Sequence, residues 1–444
     1  MKKELFFSAA KFPFFYGWVV LGVSTLGMIM SIPGQTIGIS VFTEDLKSVL
    51  NISSLTITIS YLIGTCGSGL LITYAGKLFD RHGARKVAAF ASIFLGLFLA
   101  YLSYTDKISF YLVNQFNFIN RNVILITILS IGFFGIRFFG QGVLTMSSRN
   151  MAMKWFEKNR GFANTFLSIF TIVAFNYSPT LLNDLVNSHG WRGTWQLLAW
   201  VITILFTIII IVSYKDNPYD VGCKPDGNKP LFQKKKKRNL GNGKDHTLKQ
   251  AISSFSFWPF NLLMTINAFL ITGFTFHVED IFLTAGFSSG SAFSIFVPSA
   301  VISFFASLIF SNLSDFVKLK YLLVLYGISL ALVSSSIIFL GFYQYATWLF
   351  ILGNGMMGAL YFVLSAVTWP RFFGIQHLGA ISGYSLSWVV IASALGPILF
   401  ALSKFLFKSY IPIGLFISII SIILIFLSVK TNNPNENELF KNRL

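Results

Sequence analysis

The sequence predicts an all-α integral membrane protein with twelve transmembrane helices in two six-helix bundles. Of its 444 residues, 54% are hydrophobic and only 11% are charged, so the chain has too little polar surface to cover a soluble globule of this size. Apolar stretches of about 20 residues recur along it, and each is long enough to cross about 30 Å of hydrocarbon as a helix. One long polar break divides these stretches six and six.

The individual helices follow from the apolar runs between charged or turn-rich breaks. The basic start leads into an apolar run that continues past any cleavage point, so the first run is expected to remain as an uncleaved span. The predicted spans are 16–42, 53–77, 86–105, 122–148, 161–184, 192–213, 252–278, 288–312, 319–341, 346–368, 378–402 and 409–429.

The distribution of charge between the loops predicts the orientation in the membrane. The chain carries 34 Lys and Arg against 16 Asp and Glu, a net charge of +18. With loops assigned alternately to the two sides, most basic residues fall on the side of the N-terminus, so both termini are expected to be cytoplasmic. This asymmetry explains the net charge without a nucleic-acid partner. The abundance of Phe, Ile, Lys and Asn suggests an AT-rich genome, and we expect a multi-pass protein of a bacterial inner membrane.

The long polar break is interpreted as a linker between two halves. It gives an N-terminal six-helix bundle at 1–213, a basic cytoplasmic linker at 214–250, and a C-terminal six-helix bundle with a short cytoplasmic tail at 251–444. The run QKKKKR within the linker is interpreted as an orienting segment that touches anionic lipid headgroups.

The two halves carry related motifs, as internal repeats do. Gly76-x-x-x-Asp80 after the second predicted span is echoed by Ser311-x-x-x-Asp315 after the eighth. The second copy is degraded, because it lacks the arginine and glycine that follow Asp80. Six-plus-six repeats about a central loop are typical of alternating-access transporters.

Several of these motifs resemble those of the major facilitator superfamily. GKLFDRHGARK, from Gly76 to Lys86, fits that superfamily's loop signature GxxxDRxGxRR, with lysine in place of the last arginine. RFFGQG from Arg137 approximates its RxxxGxG element, and GWRGTW from Gly190 fits the entry to its sixth span. The resemblance covers essentially the whole chain and implies the major facilitator fold. FYGWVV at Phe15, NPYDVGCKPDG, FHVEDIFLTAGFS and PRFFGIQHLGAISG look like the branch that includes oxalate/formate and monocarboxylate carriers.

The depth of the charged residues singles out Arg137. None of the 16 Asp and Glu falls near the middle of a predicted span, whereas Arg137 lies close to the bilayer centre with no carboxylate at its depth. An arginine there costs about 2.5–3.5 kcal/mol on insertion scales, so it is expected to face a wet cavity or a partner. Two interpretations stay open. A substrate carboxylate supplies the countercharge, or the guanidinium bonds backbone carbonyls of a broken helix, which the resemblance implies near the first span.

A second candidate for the substrate site is Gln35, in the outer half of the first span. Pro33 removes a backbone donor and Gly34 loosens the helix, so the freed carbonyls need partners. Gln35 is expected either to face the cavity or to bond another helix at a packing kink.

The resemblance adds three further candidates. It implies that the first, fourth, seventh and tenth spans line a central cavity, which points to Asn267, Asn354 and Tyr361. Their amides and phenol can orient a carboxylate substrate without carrying charge, and hydrogen bonding between helices is the alternative role.

Any coupling proton needs a carrier, and the outer end of the seventh span offers His277 and Glu279. A histidine with a pKa of about 6.5 beside carboxylates can take and release a proton during a cycle. Asp280 and Glu44 are further acids at outer ends. The alternative is that His277 caps a helix end.

The charged turn after the second predicted span is interpreted as a gate. An aspartate at the end of one helix and basic residues at the start of the next can form charge-assisted bonds between neighbouring helices. Two glycines permit close approach and a tight turn. We expect a latch that holds the cytoplasmic side closed when the cavity faces outward. The predicted gate comprises Gly76, Asp80, Arg81, Gly83, Arg85, Lys86 and Asp315.

The expected function is secondary active transport of a small organic anion, a monocarboxylate or dicarboxylate, by alternating access, either proton-coupled or by exchange. The spans contain no HExxH, no paired deep carboxylates and no Ser/His/Asp arrangement, so we expect neither enzymatic activity nor a metal or cofactor. An exporter of amphipathic compounds or drugs on the same fold, and a non-transporting membrane sensor, are the alternatives. The expected partners are the small organic anion, a coupling proton and membrane lipids, without nucleic acid, and we expect a monomer.

Overall fold

The computed structural model describes residues 9, 12–116, 118–227, 244–287, 294–343 and 345–434, and all regular secondary structure within them is helical. Eleven helical segments within this part of the chain are long and apolar enough to cross a membrane. The fifth predicted span instead begins with a shorter apolar helix, Arg160–Phe175. A helix lies at each of the twelve positions that hydropathy predicts.

The α-helices are numbered in chain order, and some are joined by short 3₁₀ or π-helical segments. They are α1 Gly17–Met30, α2 Thr36–Ser40, α3 Thr43–Leu50, α4 Ser54–His82, α5 Ala84–Ser103, α6 Thr105–Gln115, α7 Arg121–Ile136, α8 Thr145–Trp155, α9 Arg160–Trp200, α10 Thr207–Ser213, α11 Leu248–Ser253, α12 Phe257–Thr284, α13 Phe296–Ser314, α14 Leu319–Phe339, α15 Ala346–Phe373, α16 Leu378–Phe407 and α17 Ile411–Val429.

Two glycines turn the chain sharply between consecutive long helices. Gly83, with φ of 84°, separates α4 from α5, and Gly190, with φ of 70°, kinks α9 between the fifth and sixth predicted spans. Residues with a Cβ rarely adopt these angles, so glycine permits each turn without a longer loop. Hydropathy alone predicted the two boundaries but not their abruptness.

Helix α6 lies between two long helices, and the sequence analysis did not predict it. Arg192, from the GWRGTW stretch in α9, donates through Nη2 to Asp106 Oδ2 at 2.6 Å and through Nη1 to Ser103 O at 2.5 Å. Burial opposes ionisation of Asp106, but the hydrogen bond from Arg192, the charge of Arg192 and backbone N–H groups together outweigh it and hold the pKa of that carboxyl below its ordinary value. The motif arginine therefore holds the start of α6 against α9.

Contacts group the described residues into two compact units. The first unit takes those within Met1–Phe156, Phe170–Lys229 and Ser382–Ser387. The second unit takes those within Glu157–Ile169, Pro230–Ile381 and Trp388–Leu444. The units thus follow the two sequence halves except for one short piece of α9 and one of α16.

In the first unit, a broken first span packs closely on the helix that carries RFFGQG. Residues Ile32–Gly34 form a 3₁₀ turn between α1 and α2, and Arg137–Leu144 form a π-helical segment between α7 and α8. A Cβ added to Gly34 would lie 2.2 Å from Ile136 O and 3.0 Å from Gly140 Cα. Only a residue without a side chain lets the two backbones approach this far.

Substituting Gly34 by alanine should therefore destabilise the protein, since the methyl group meets backbone atoms that cannot rotate away. We expect a loss on the order of 1–3 kcal/mol in the free energy of unfolding, measured as a lowered thermal midpoint of the detergent-solubilised protein. Gly22→Ala is the matched control, because Gly22 lies on α1 and has no atom within 4 Å of its added Cβ. Equal midpoints for the two variants would contradict the packing argument.

Candidate functional site

Arg137 begins the π-helical segment and is fully buried, with 0% of its surface exposed. Its Nη1 donates to Gly34 O at 3.4 Å and to Thr36 Oγ1 at 3.2 Å. Its Nε and Nη2 have no hydrogen-bond partner among the described residues. The guanidinium thus binds the broken first span through one nitrogen and leaves its other edge, formed by Nε and Nη2, unpaired.

Tyr61 of α4 provides the other contact of this guanidinium. Its ring centroid lies 5.2 Å from the Arg137 Cζ, and its hydroxyl is 2.8 Å from Thr36 Oγ1. A cation over an aromatic face is stabilised by the ring quadrupole, more strongly when both are desolvated. No carboxylate of the described residues pairs with Arg137, so its charge is met by an aromatic ring and neutral oxygens.

Gln35 lies beside this break but bonds toward a different helix. Its Nε2 donates to Ser31 Oγ at 3.1 Å and to Thr145 Oγ1 at 3.4 Å. Thr145 Oγ1 in turn lies 3.0 Å from Ser31 Oγ. Of the two roles that the sequence allows, this geometry corresponds to bonding at a packing kink.

The three substrate-site candidates of the second half all belong to the second unit. Asn267 of α12 is buried, and its Oδ1 has no hydrogen-bond partner among the described residues. Tyr361 and Asn354 lie two helical turns apart on α15 and are half-buried. Tyr326 of α14 was not a candidate from the sequence, and its hydroxyl lies near the side chains of Asn267 and Tyr361. Its fully buried hydroxyl and Asn267 Oδ1 do not meet hydrogen-bond geometry with each other.

The predicted proton carriers lie at the end of α12. His277 Nε2 lies 2.9 Å from Pro397 O, and because a carbonyl only accepts, this nitrogen carries the hydrogen. Asp280 Oδ2 accepts from the Tyr410 hydroxyl at 2.5 Å and lies 3.7 Å from Lys404 Nζ. The side chain of Glu279, like that of Glu44, lies outside the described part of the structure.

The predicted gate of the first half binds a segment that the sequence analysis treated only as linker. The Arg85 backbone N–H donates to Asp216 Oδ1 at 2.7 Å, and Arg85 Nε donates to Tyr214 O at 2.8 Å. Gly83 also faces this carboxylate, since a Cβ added there would lie 2.3 Å from Asp216 Oδ2. The α4–α5 turn is thereby held to the chain just after α10.

The other gate residues of the first half divide into contacting and exposed groups. Asp80 interacts electrostatically with Lys154 of α8, whose Nζ lies 4.6 Å from the centroid of the Phe79 ring. Arg81 and Lys86 are exposed. Gly76 Cα would lie 3.3 Å from a Cβ added to Gly383, a residue of the segment of α16 that belongs to the first unit.

Asp315, the counterpart of Asp80, lies at the end of α13 in the second unit. It accepts from the Gly161 backbone N–H at 3.3 Å, in the first turn of α9, and lies 3.6 Å from Arg371 Nη2. A carboxylate at a helix N-terminus is favoured by the unsatisfied N–H groups there. Ser311 approaches the same glycine, because a Cβ added to Gly161 would lie 2.2 Å from Ser311 O.

Sequence reasoning missed several residues that these contacts make important. Tyr61 and Tyr326 are two of 16 tyrosines, and hydropathy does not separate them from the others. Asp216 could have been found from the charges that immediately follow the sixth predicted span. Among the described residues, no group of three or more His, Cys, Asp or Glu is arranged to hold a metal. The overlooked residues are Thr36, Tyr61, Asp216, Tyr326 and Arg371.

Solved structures share this architecture. The proton:xylose symporter XylE bound to 6-bromo-6-deoxy-D-glucose gives a TM-score of 0.62 at 17% identity, over 93% of this chain and 94% of that one. The human organic anion transporter MFSD10 gives 0.62 at 11% identity, over 93% and 99%. The E. coli fucose:proton symporter FucP gives 0.59 at 13% identity, over 93% and 98%. At such identities the likeness shows the fold alone, and it confirms the predicted fold class.

Sequence comparison identifies the family. Monocarboxylate transporter 2 of Mus musculus is 24% identical over 281 residues, which are 60% of this chain and 48% of the mouse protein. The chain therefore spans about half the length of this relative. The model of the Major Facilitator Superfamily matches residues 14–397. This match covers most of the chain, which therefore belongs to the Major Facilitator Superfamily.

Proposed function

We propose that this protein is a secondary active carrier of a small organic anion, a monocarboxylate or dicarboxylate, that works by alternating access. The observation that carries the proposal is the unpaired edge of the buried Arg137 guanidinium. A full charge at this depth needs a countercharge, and a transported carboxylate would supply one.

The geometry of the guanidinium favours a carboxylate in particular. Nη1 is already used by Gly34 O and Thr36 Oγ1, whereas Nε and Nη2 together form the side edge of the planar fork. Two parallel N–H donors on one edge match the two oxygens of a carboxylate in a bidentate pair. The two roles that the sequence left open are thus compatible, since one nitrogen fixes the broken helix and the other two remain for the substrate.

The second unit supplies uncharged groups for the rest of the ligand. The buried Oδ1 of Asn267 and the hydroxyl of Tyr326 have no hydrogen-bond partner among the described residues. With Tyr361 and Asn354 on α15, these groups would orient the substrate through neutral hydrogen bonds. In this proposal Gln35 supports the site indirectly, because its amide holds Thr145 and Ser31.

The names of two relatives support an anionic substrate. The mouse protein is a monocarboxylate transporter, and MFSD10 is named an organic anion transporter. As part of the same proposal, the protein acts as a monomeric carrier rather than an enzyme, in a bacterial inner membrane with both termini cytoplasmic. The gate residues, from Gly76 to Lys86 with Asp315, would hold the cytoplasmic side closed in one state of the cycle.

The coupling step of the proposed cycle depends on His277 and Glu279. In the arrangement with Pro397, Nε2 of His277 keeps its hydrogen, so Nδ1 is the nitrogen that would gain and lose a proton. The Tyr410 ring lies 5.9 Å from the His277 ring, and its hydroxyl donates to Asp280 Oδ2, which also lies 3.7 Å from Lys404 Nζ. In proton-driven uptake, His277 would gain and lose a proton in each transport cycle. In anion exchange it would not.

Replacing Arg137 by glutamine should abolish saturable binding of the anion, because the charge and the two-donor edge are both lost. Arg137→Lys keeps the charge without the edge and should weaken binding by at least about tenfold, since a hydrogen bond to a charged group contributes about 1.5–3 kcal/mol. The measurement is binding and liposome uptake of labelled lactate, pyruvate, formate, oxalate and acetate.

The matched control for this change is Arg121→Gln, which removes an arginine from the start of the same helix, where it contacts Leu50 O. This variant should bind and transport as the unmodified protein does. Anion binding that survives in folded Arg137→Gln protein would reduce the arginine to a structural role. Uptake of none of the anions, together with efflux of a hydrophobic cation, would favour the exporter alternative.

Replacing His277 by glutamine should separate proton coupling from exchange. The glutamine amide can still donate to Pro397 O but does not titrate, so stimulation of uptake by a pH gradient should disappear while anion exchange persists. The measurement is the ratio of uptake with and without the gradient, with His189→Gln, an exposed histidine of the first unit, as control. An unchanged ratio in the His277 variant would assign this histidine to helix packing.

A further inference from the structure

A small basic pocket lies at one end of the second unit, where α13 leads into α14 and where α17 ends. It is distinct from the residues that the proposed function uses for substrate or coupling. Its polar lining comprises Lys318, Lys320, Arg371, Thr431, Asn432 and Asn433. We propose that this pocket binds a phosphate group, either the headgroup of an anionic lipid or a soluble phosphate compound.

The charged residues that line the pocket are basic. Lys318, Lys320 and Arg371 line it, and the carboxylate beside them is Asp315, 3.6 Å from Arg371 Nη2. Every charged residue of the pocket lining is therefore basic. Basic pockets between membrane helices are typical binding sites of anionic headgroups.

Arg371 provides this pocket with a buried hydrogen-bond donor for an anion. The residue is 3% exposed, its Nη1 donates to Ser314 O at 2.6 Å, and its Nε has no hydrogen-bond partner among the described residues. Its position is thus fixed by α13, and a donor remains in the pocket lining. Leaving a buried charged donor unpaired is unfavourable, and a phosphate oxygen would satisfy it.

The backbone adds a second, independent contribution. Helix α14 is 21 residues long and starts at Leu319 in the pocket lining, and its N-cap residue Lys318 makes no side-chain capping bond. The first N–H groups of such a helix attract anions through the helix dipole and their unsatisfied donors. The side-chain amide of Asn432, whose Oδ1 accepts from Lys320 Nζ at 3.3 Å, lies across from this helix end. The basic side chains, the Asn432 amide and the N-terminus of α14 thus lie around the same pocket, which is the combination of groups that binds phosphate.

Binding of two probes to the full-length purified protein tests this proposal. The probes are phosphatidylglycerol presented in nanodiscs, with phosphatidylcholine as the uncharged comparison, and inorganic phosphate in solution. The affinity for the probe that binds should fall about tenfold or more in Lys318→Gln/Lys320→Gln, since each lysine near a headgroup contributes about a fivefold change in affinity. Lys244→Gln/Lys249→Gln is the matched control, because both lysines are exposed in the same unit and lie outside the pocket, and it should bind as the unmodified protein does.

The pattern of binding identifies the source of the phosphate. Lysine-dependent preference for phosphatidylglycerol supports the lipid headgroup, and lysine-dependent binding of inorganic phosphate supports a soluble compound. Equal binding of both probes by the double variant and the unmodified protein would overturn the proposal. If the double variant does not unfold cooperatively, Lys320→Gln alone, at half the charge change, gives the same comparison.

Discussion

The burial of one guanidinium inside a membrane span constrains much of the first unit. Arg137 is inaccessible to solvent. Removing its charge from water is unfavourable unless hydrogen bonds and an aromatic ring compensate. The chain compensates by breaking the first span, because a continuous helix would keep the Gly34 carbonyl within its own ladder. The break exposes this carbonyl to Nη1, and the absence of side chains at Gly34 and Gly140 brings the two backbones close enough to use it. The proline, the paired glycines and the π-helical segment are therefore parts of one arrangement.

Buried polar side chains in the two units have different surroundings. In the first unit, the charge of Arg137 is stabilised by an aromatic ring and neutral oxygens. The second unit buries several uncharged polar groups that have no partner among the described residues: Asn261, Asn267, Tyr326 and Thr368. An unpaired amide or hydroxyl in low dielectric costs less than an unpaired charge, yet each still favours a hydrogen-bonding ligand or water.

The sequence predicted features that depend on hydropathy and on single disruptive residues. Twelve apolar runs located the helices because the bilayer fixes their length, and Pro33 located the break because it lacks a donor. Arg137 was recognisable because a charge at that depth is rare. Partners remote in sequence were not predictable in this way. Asp216 lies 131 residues from Arg85, and Tyr61 differs from other tyrosines only through the helix on which it packs.

The end of α13 connects two features that the sequence treated separately. Arg371 lies 3.6 Å from Asp315 and also lines the basic pocket, while Asp315 accepts from the N–H of Gly161 in the first turn of α9. The donors of one guanidinium point in different directions, so the unpaired Nε of Arg371 is available to an anion in the pocket while Nη2 faces Asp315. An anion in the pocket would therefore share this guanidinium with Asp315 and weaken the electrostatic attraction between the two. The degraded copy of the gate motif would then respond to phosphate-bearing ligands, whereas the copy at Gly76–Lys86 is held by Asp216 of its own unit.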